Sequence, residues 1–338
     1  MDILITGGAG FIGTNATLYF GKDTTNKITI LDDLSRFGTQ NNLNLLKQSL
    51  TKRLTFIQAD ITDIKKYRTA LKRADLIIHL AGQTAVTTSI KDPSHDFHVN
   101  VLGGVTLLEN VRIHNPQAIV LYASTNKVYG NLSHHILKKR VSLKRYVNMT
   151  YPQGVNESEQ LNFISPYGCS KGTVDQYMAD YARSFGLKTV VFRQSCIYGP
   201  YQLGVEDQGW VAHFSKQFLM KKPITLFGDG YQVRDLLYVE DLVRLYELAA
   251  QKIGLAAGQV FNAGGGEKNS FSLLEVLALM EKKIGYTPPI GAVAERLGDQ
   301  KYFVSDNTKA KKMLGWKPTT PFVTGVDQMI LWQKKNLL

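Results

Sequence analysis

Six short apolar runs, each ending in polar or small residues, constrain this chain more than any other feature. They are Ile3-Leu4-Ile5, Ile28-Thr29-Ile30-Leu31, Leu54-Thr55-Phe56-Ile57, Leu76-Ile77-Ile78-His79-Leu80, Ala118-Ile119-Val120-Leu121-Tyr122 and Thr189-Val190-Val191-Phe192. A strand with one wet face alternates apolar and polar residues. These runs are continuous, which predicts strands of a parallel sheet buried on both faces. Amphipathic stretches separate them, so the expected fold class is α/β, a doubly wound parallel sheet.

The rhythm divides the chain. Residues 1–200 read as the sheet domain, interrupted by a polar, basic and aromatic insertion at about 131–164. A segment that long without a clear period is usually functional or disordered. Residues 201–338 read as a smaller, mostly helical and discontinuous cap over the carboxyl ends of the strands. Within it, Val260-Phe261-Asn262-Ala263 is a candidate for return to the main sheet near 258–266.

Cys169 and Cys196 have no paired spacing, which argues against a disulfide scaffold or a zinc site; no metal is expected. Cys169 is expected to pack against its helix rather than to react. No apolar run approaches the length of a membrane span, and a strand begins directly after Met1-Asp2. The expectation is a soluble cytoplasmic protein without a signal peptide or membrane contact. Lysine and arginine total 40 against 28 acidic residues, a net charge of +12. Part of the excess lies in Lys138-Lys139-Arg140 to Lys144-Arg145. It reads as a solvated basic loop or as a rim attracting an anionic substrate, and no nucleic-acid motif accompanies it.

The first strand runs into Thr6-Gly7-Gly8-Ala9-Gly10-Phe11-Ile12-Gly13. Glycines at this turn permit close approach to a pyrophosphate, and the following helix N-terminus stabilises its charge. Asp32 ends the second strand, at the spacing of a carboxylate that binds ribose hydroxyls and repels a 2′-phosphate. That favours NAD over NADP, although Arg36 nearby weakens the preference. Asp60 ends the third strand and either meets adenine or caps the turn before Thr62.

Tyr167 and Lys171 share one face of a predicted helix, with Ser165 as N-cap and Pro166 as first helical residue. An ammonium beside a phenol favours the phenolate, which can take a proton from a sugar hydroxyl. Thr125 ends strand five, where its hydroxyl either orients the reacting oxygen or caps a turn.

Together Thr6 to Gly13, Asp32, Leu80-Ala81-Gly82, Ser124-Thr125 with Val128-Tyr129-Gly130, Tyr167-x-x-x-Lys171 and Tyr198-Gly199-Pro200 resemble the extended short-chain dehydrogenase/reductase family, the NAD-dependent epimerases and dehydratases. The resemblance spans essentially the whole chain and implies a Rossmann-type fold with tightly bound NAD. It implies a catalytic set of Thr125, Tyr167 and Lys171. Its implied cofactor contacts are Gly7, Gly10, Phe11, Ile12, Gly13, Asp32, Ser35, Arg36, Asp60, Ile61, Leu80, Ala81 and Asn100, besides Tyr167 and Lys171. Its implied substrate contacts are Asn126, Cys196, Gln208, Arg234, Arg296 and Asp299, with Arg234, Arg296 and Asp299 as diphosphate anchors. Cys196 stands where many relatives carry Asn. Residues 93–115 and 166–186 would be the pairing surface of a homodimer or homotetramer.

A narrower set of motifs is similar to the branch of this family that inverts C2 of CDP-linked dideoxyhexoses. It includes His79-Leu80-Ala81-Gly82-Gln83, Ser124-Thr125-Asn126-Lys127, Asp207-Gln208-Gly209-Trp210 and Gln232-Val233-Arg234-Asp235. The implied chemistry is oxidation to a 2-keto sugar, turnover of the sugar in the pocket, and hydride return to its other face. A UDP-sugar 4-epimerase is the alternative. A 4,6-dehydratase is disfavoured, because Asn126 and Lys127 replace its acid pair and Asn is no general acid. A non-catalytic NAD-sensing or RNA-binding protein is the reading from another class, and it has no need of the Tyr-x-x-x-Lys pair.

Overall fold

The computed structural model describes residues 1–296 and 298–337. All six apolar runs form strands: β1 (Asp2–Thr6), β2 (Lys27–Asp32), β3 (Leu54–Gln58), β4 (Leu76–His79), β5 (Ile119–Thr125) and, beyond a hairpin of β6 (Leu137–Arg140) and β7 (Arg145–Asn148), β8 (Lys188–Gln194). After β9 (Cys196–Tyr198), β10 (Ile224–Phe227) and β11 (Val233–Tyr238) comes β12 (Val260–Ala263). The main sheet has seven strands in the order β12-β8-β5-β4-β1-β2-β3. Every neighbouring pair in it is parallel. The order reverses direction at β1, so a crevice opens between the carboxyl ends of β1 and β4.

Strand periodicity explains why the runs are apolar throughout. Ile3 and Ile5 enter one core with Ile28, Ile30, Leu76 and Ile78. Leu4, between them, enters the opposite core with Leu31, Ile77, Val120 and Tyr122. Each such buried aliphatic contributes about 1.5–3 kcal/mol.

The chain leaves the main sheet after Gln194, since β9 pairs instead with β11. It rejoins at the edge, where β12 pairs with β8 from Val260↔Val191 to Ala263↔Gln194. The cap has its own core around Tyr198, Phe214, Phe218, Leu236, Met280 and Phe322. It contains strands as well as helices, including Ser270–Ser272, Ile290–Val293 and Tyr302–Phe303.

The insertion is more ordered than its polarity suggests. β6 and β7 form an antiparallel hairpin from Leu137↔Asn148 to Arg140↔Arg145. Two of its cations are engaged with the cap: Lys139 Nζ lies 2.9 Å from Asp229, and Arg145 donates to the Ser270 hydroxyl at 2.7 Å. At its base, Asn148 Oδ1 accepts the Thr150 and Tyr151 amides, so its Nδ2 faces His135 Nδ1 at 2.9 Å. His135 Nε2 therefore carries the proton and donates to Glu159 at 3.2 Å. That tautomer makes the His134–His135–Glu159 cluster a polar clasp and leaves His135 Nε2 no lone pair for a metal. Among the described residues no helix is long and apolar enough to cross a membrane.

Candidate active site

The carboxyl ends of β1, β2, β4, β5 and β8 and the start of the cap enclose a cleft of about 650 Å³, within the size range of cofactor and ligand sites. The cleft lining includes Gly7, Gly10, Phe11, Ile12, Gly13, Asp32, Ser35, Arg36, Asp60, Ile61, Leu80 and Ala81. It also includes Thr125, Asn126, Tyr167, Lys171, Cys196 and Gln208.

The glycine turn fits a dinucleotide. Gly7 has φ +68°, and a Cβ there would stand 2.7 Å from the Ala81 amide nitrogen on the neighbouring loop. A Cβ on Gly13 would stand 2.2 Å from the Gly7 carbonyl oxygen. The helix Phe11–Phe20 begins after Gly10 with no side chain capping its N–H groups, which leaves them for an anion. Asp32 accepts from the Ala9 amide at 3.0 Å and the Leu34 amide at 2.9 Å. These bonds fix the carboxylate at the cleft wall, while burial pushes its pKa up. Arg36 donates to Thr84 at 2.8 Å and to Gln208, spanning the mouth of the cleft. Asp60 both lines the cleft and binds the Thr62 amide at 2.7 Å, so its turn-capping role is present.

Asn100, expected at the cofactor, does not line the cleft. It is buried behind the wall, where its Nδ2 donates to Gln83 O, Asp96 and Ser170 at 3.0–3.2 Å. Its position is that of a support for the loop after β4.

The three residues expected to be catalytic, Thr125, Tyr167 and Lys171, line the same cleft. Tyr167 and Lys171 lie on the helix Ser165–Phe185, which ends at Gly186 in the left-handed conformation. Ser165 accepts the Gly168 amide at 3.3 Å, the capping bond expected of it, but its own φ is +71°. The helix is fixed from behind by a buried network. Arg193 on β8 makes a two-pronged contact with Asp175 at 2.9 and 3.0 Å, and Ser124 donates to Asp175 at 2.7 Å. Arg193 also donates to Tyr129 at 3.2 Å, and Tyr129 to Asn262 on β12 at 2.8 Å. A buried pair of this kind is worth most as a register device, here between helix and sheet.

Electrostatics in the trio differ from the expectation of an ammonium acidifying a phenol. Burial pushes the Tyr167 phenol up to about 12, against the nearby Thr125 hydroxyl, which lowers it. Burial brings Lys171 down to about 7, opposed by the carboxylates of Asp96 and Asp175. The ammonium rests 4.3 Å from the centre of the Tyr122 ring. Desolvation outweighs pairing at both groups, so the protein alone holds a neutral phenol. Thr125 also accepts the Lys127 amide at 3.2 Å, so its turn-capping role is present.

The end of the cleft expected to take the substrate is lined by Asn126, Lys127, Cys196, Gln208 and Trp210. Cys196 Sγ accepts from the Trp210 indole at 3.5 Å, and burial raises its pKa, so it stays a thiol. Arg234, Arg296 and Asp299, expected as diphosphate anchors, do not line the cleft; each has a protein partner instead. Arg234 donates to Asp299 at 2.7 Å, and Arg296 lies 3.0 Å from Asp207 while stacking 3.6 Å over Phe227. Cys169, expected to pack, is exposed. Sequence reasoning gave no role to Asp96 or Gln300. Gln300 is buried beneath Asn126 and donates to Gly130 O at 2.7 Å.

Comparison with known proteins accords with this architecture. Residues 3–264 match the model of the NAD dependent epimerase/dehydratase family. The chain is 42% identical to the CDP-paratose 2-epimerase of Salmonella typhi, over 98% of this chain and 99% of that protein. It is 30% identical to the putative UDP-glucose 4-epimerase of Methanocaldococcus jannaschii, over 99% of each. Among solved structures, the UDP-glucuronic acid 4-epimerase of Bacillus cereus, in complex with UDP-glucuronic acid and NAD, superposes with a TM-score of 0.85 at 28% identity over 99% of each chain. The UDP-glucose 4-epimerase of Thermotoga maritima superposes with a TM-score of 0.84 at 30% identity over the full length of both. The chain is thus an NAD-dependent enzyme and belongs to the NAD-dependent epimerase/dehydratase family.

Proposed function

We propose that the chain inverts C2 of a CDP-linked dideoxyhexose, converting CDP-paratose to CDP-tyvelose in the cytoplasm. The carrying observation is the 42% identity, over almost the whole of both chains, to a CDP-paratose 2-epimerase. The site supports it: Thr125 and Tyr167 meet at the centre of the cleft, and the next residue, Asn126, has no acid to drive dehydration.

Bound NAD supplies a hydride acceptor and, in its oxidised form, a positive ring charge. Gly7, Gly10 and Gly13 would admit its pyrophosphate to the helix N-terminus, Asp32 would bind the adenosine ribose, and Lys171 the other ribose. Lys171, whose pKa burial lowers and the Asp96 and Asp175 carboxylates raise, would regain its charge beside a bound anion, because a nearby anion raises a lysine pKa. That ammonium joins Thr125 in drawing the Tyr167 pKa down from about 12. Thr125 would orient the sugar hydroxyl, Tyr167 in its phenolate form would take the hydroxyl proton, and the phenol so formed would give that proton back to the same oxygen when the sugar is reduced from its opposite face. Between the two transfers the keto sugar turns while its diphosphate stays held.

A proton NMR time course with CDP-, UDP-, GDP- and dTDP-hexoses, without added cofactor, tests this. The expected result is inversion at C2 of the CDP sugar only, with no deuterium incorporated from solvent, and loss of about a thousandfold or more in Tyr167→Phe. Inversion at C4 would replace the reading with a 4-epimerase. Full activity in Tyr167→Phe would remove Tyr167 from the chemistry. The exposed Phe97, Ile113, Tyr177 and Phe185 support a homo-oligomer. A monomeric mass by light scattering would overturn that part.

A further inference from the structure

Lys127 is a cation two residues beyond Thr125 and is among the residues that line the cleft. Only the anomeric carbon and its oxygen stand between C2 of a nucleotide sugar and the β-phosphorus, whereas C4 lies across the ring. If Thr125 and Tyr167 hold the oxygen on C2, the β-phosphate must lie within a side-chain length of Thr125. Lys127 is two residues further on, its amide bonded to the Thr125 hydroxyl at 3.2 Å. The residue lines the cleft, with its side chain part-buried. Its ammonium lies 3.3 Å from Asp299 Oδ1 and 3.4 Å from the Gly298 carbonyl.

Asp299 Oδ1 also accepts from Arg234 at 2.7 Å and from the Gln300 amide at 3.0 Å. Two cations and an amide thus converge on one oxygen, the donor set that suits a phosphate oxygen. Arg234 is buried outside the cleft lining, so Lys127 is the cation of the pair that an entering diphosphate reaches.

We propose that Lys127 binds the β-phosphate of the nucleotide sugar, exchanging Asp299 for it, and so sets the reacting carbon at C2. The placement of the phosphate rests on the C2 reading of the preceding section, but the contact itself can be measured without turnover. The experiment is equilibrium binding of CDP and of CMP to the NAD-loaded enzyme by calorimetry, for wild type, Lys127→Gln and Lys127→Arg. CMP lacks the β-phosphate. The expected result is a loss of CDP affinity of about ten- to a hundredfold in Lys127→Gln, with CMP affinity unchanged and most CDP affinity kept by Lys127→Arg. Equal losses for CDP and CMP would mean that Lys127 merely braces the loop at Asp299, and no loss would mean that it does not touch phosphate; either overturns the proposal. If the wild type ignores CDP, the pair UDP and UMP decides. A loss confined to UDP would keep the phosphate contact and remove the cytosine assignment.

Discussion

The two ends of the cleft are built on opposite plans. At the cofactor end the groups that would meet a pyrophosphate are backbone N–H groups at the start of the helix Phe11–Phe20, left without a side-chain cap. The Asp32 carboxylate is held there by backbone amides. At the substrate end the cations already have partners: Lys127 and Arg234 share Asp299, and Arg296 has Asp207. A ligand at the first end adds bonds to donors that lack them. A ligand at the second must displace carboxylates and gains only the difference. The first plan favours retention, the second release. That division suits a cofactor kept through the cycle and a substrate exchanged in every turnover.

Paired substitutions sharpen the contrast. Asp32→Ala leaves the Ala9 and Leu34 amides without their acceptor and removes the ribose ligand, so the purified protein is expected to lose most of its bound NAD. Arg296→Met, outside the cleft lining, strips Asp207 in that lining of its cation, sets an unpaired carboxylate against the entering diphosphate, and should leave bound NAD at the wild-type level. Its KM for the nucleotide sugar should rise about tenfold or more, with kcat changed much less. Cofactor content by absorbance and steady-state kinetics report the two effects separately. If Arg296→Met also sheds NAD, the two ends are coupled and the contrast fails.

The cofactor end is the part that could be read from the chain alone, and the reason is local. Gly7 must be glycine because its φ is +68° and Ala81 stands against it, and Asp32 reaches the cleft because it ends β2. Both requirements lie within one strand–turn–helix–strand unit. The substrate end depends on pairs far apart in sequence, such as Arg234 with Asp299 and Arg296 with Asp207. No pattern along the chain tells which acid an arginine will meet, so these residues were legible as types and not as positions. The β6–β7 hairpin was hidden for another reason. Lys138, Lys139 and Arg140 give no alternation, and the hairpin gains its order by docking on Asp229 and Ser270. Nor does anything mark the left-handed Ser165, two residues before Tyr167; a non-glycine residue there stores strain of about 1–3 kcal/mol.

Lys171 sits where the two plans meet, and it gives the contrast a measurable cost in the cofactor-free protein. Burial lowers its pKa from an ordinary 10.5 to about 7. The folded state therefore resists its charge. Below pH 7 the lysine is charged in both folded and unfolded chains, and the penalty on folding is complete. Between about pH 7 and 10.5 the folded chain has lost the proton while the unfolded chain keeps it, so the penalty shrinks as pH rises. Lys171→Met removes the penalty. The stripped variant should melt above the stripped wild type at pH 6, by on the order of 5 °C, with the gap closing toward pH 10. Saturating NAD should reverse the order at pH 7, because the wild-type ammonium then has ribose and phosphate oxygens to bind. Parallel melting curves across that pH range would mean that Lys171 keeps its proton in the folded protein, and that the site holds a charged lysine before any ligand arrives.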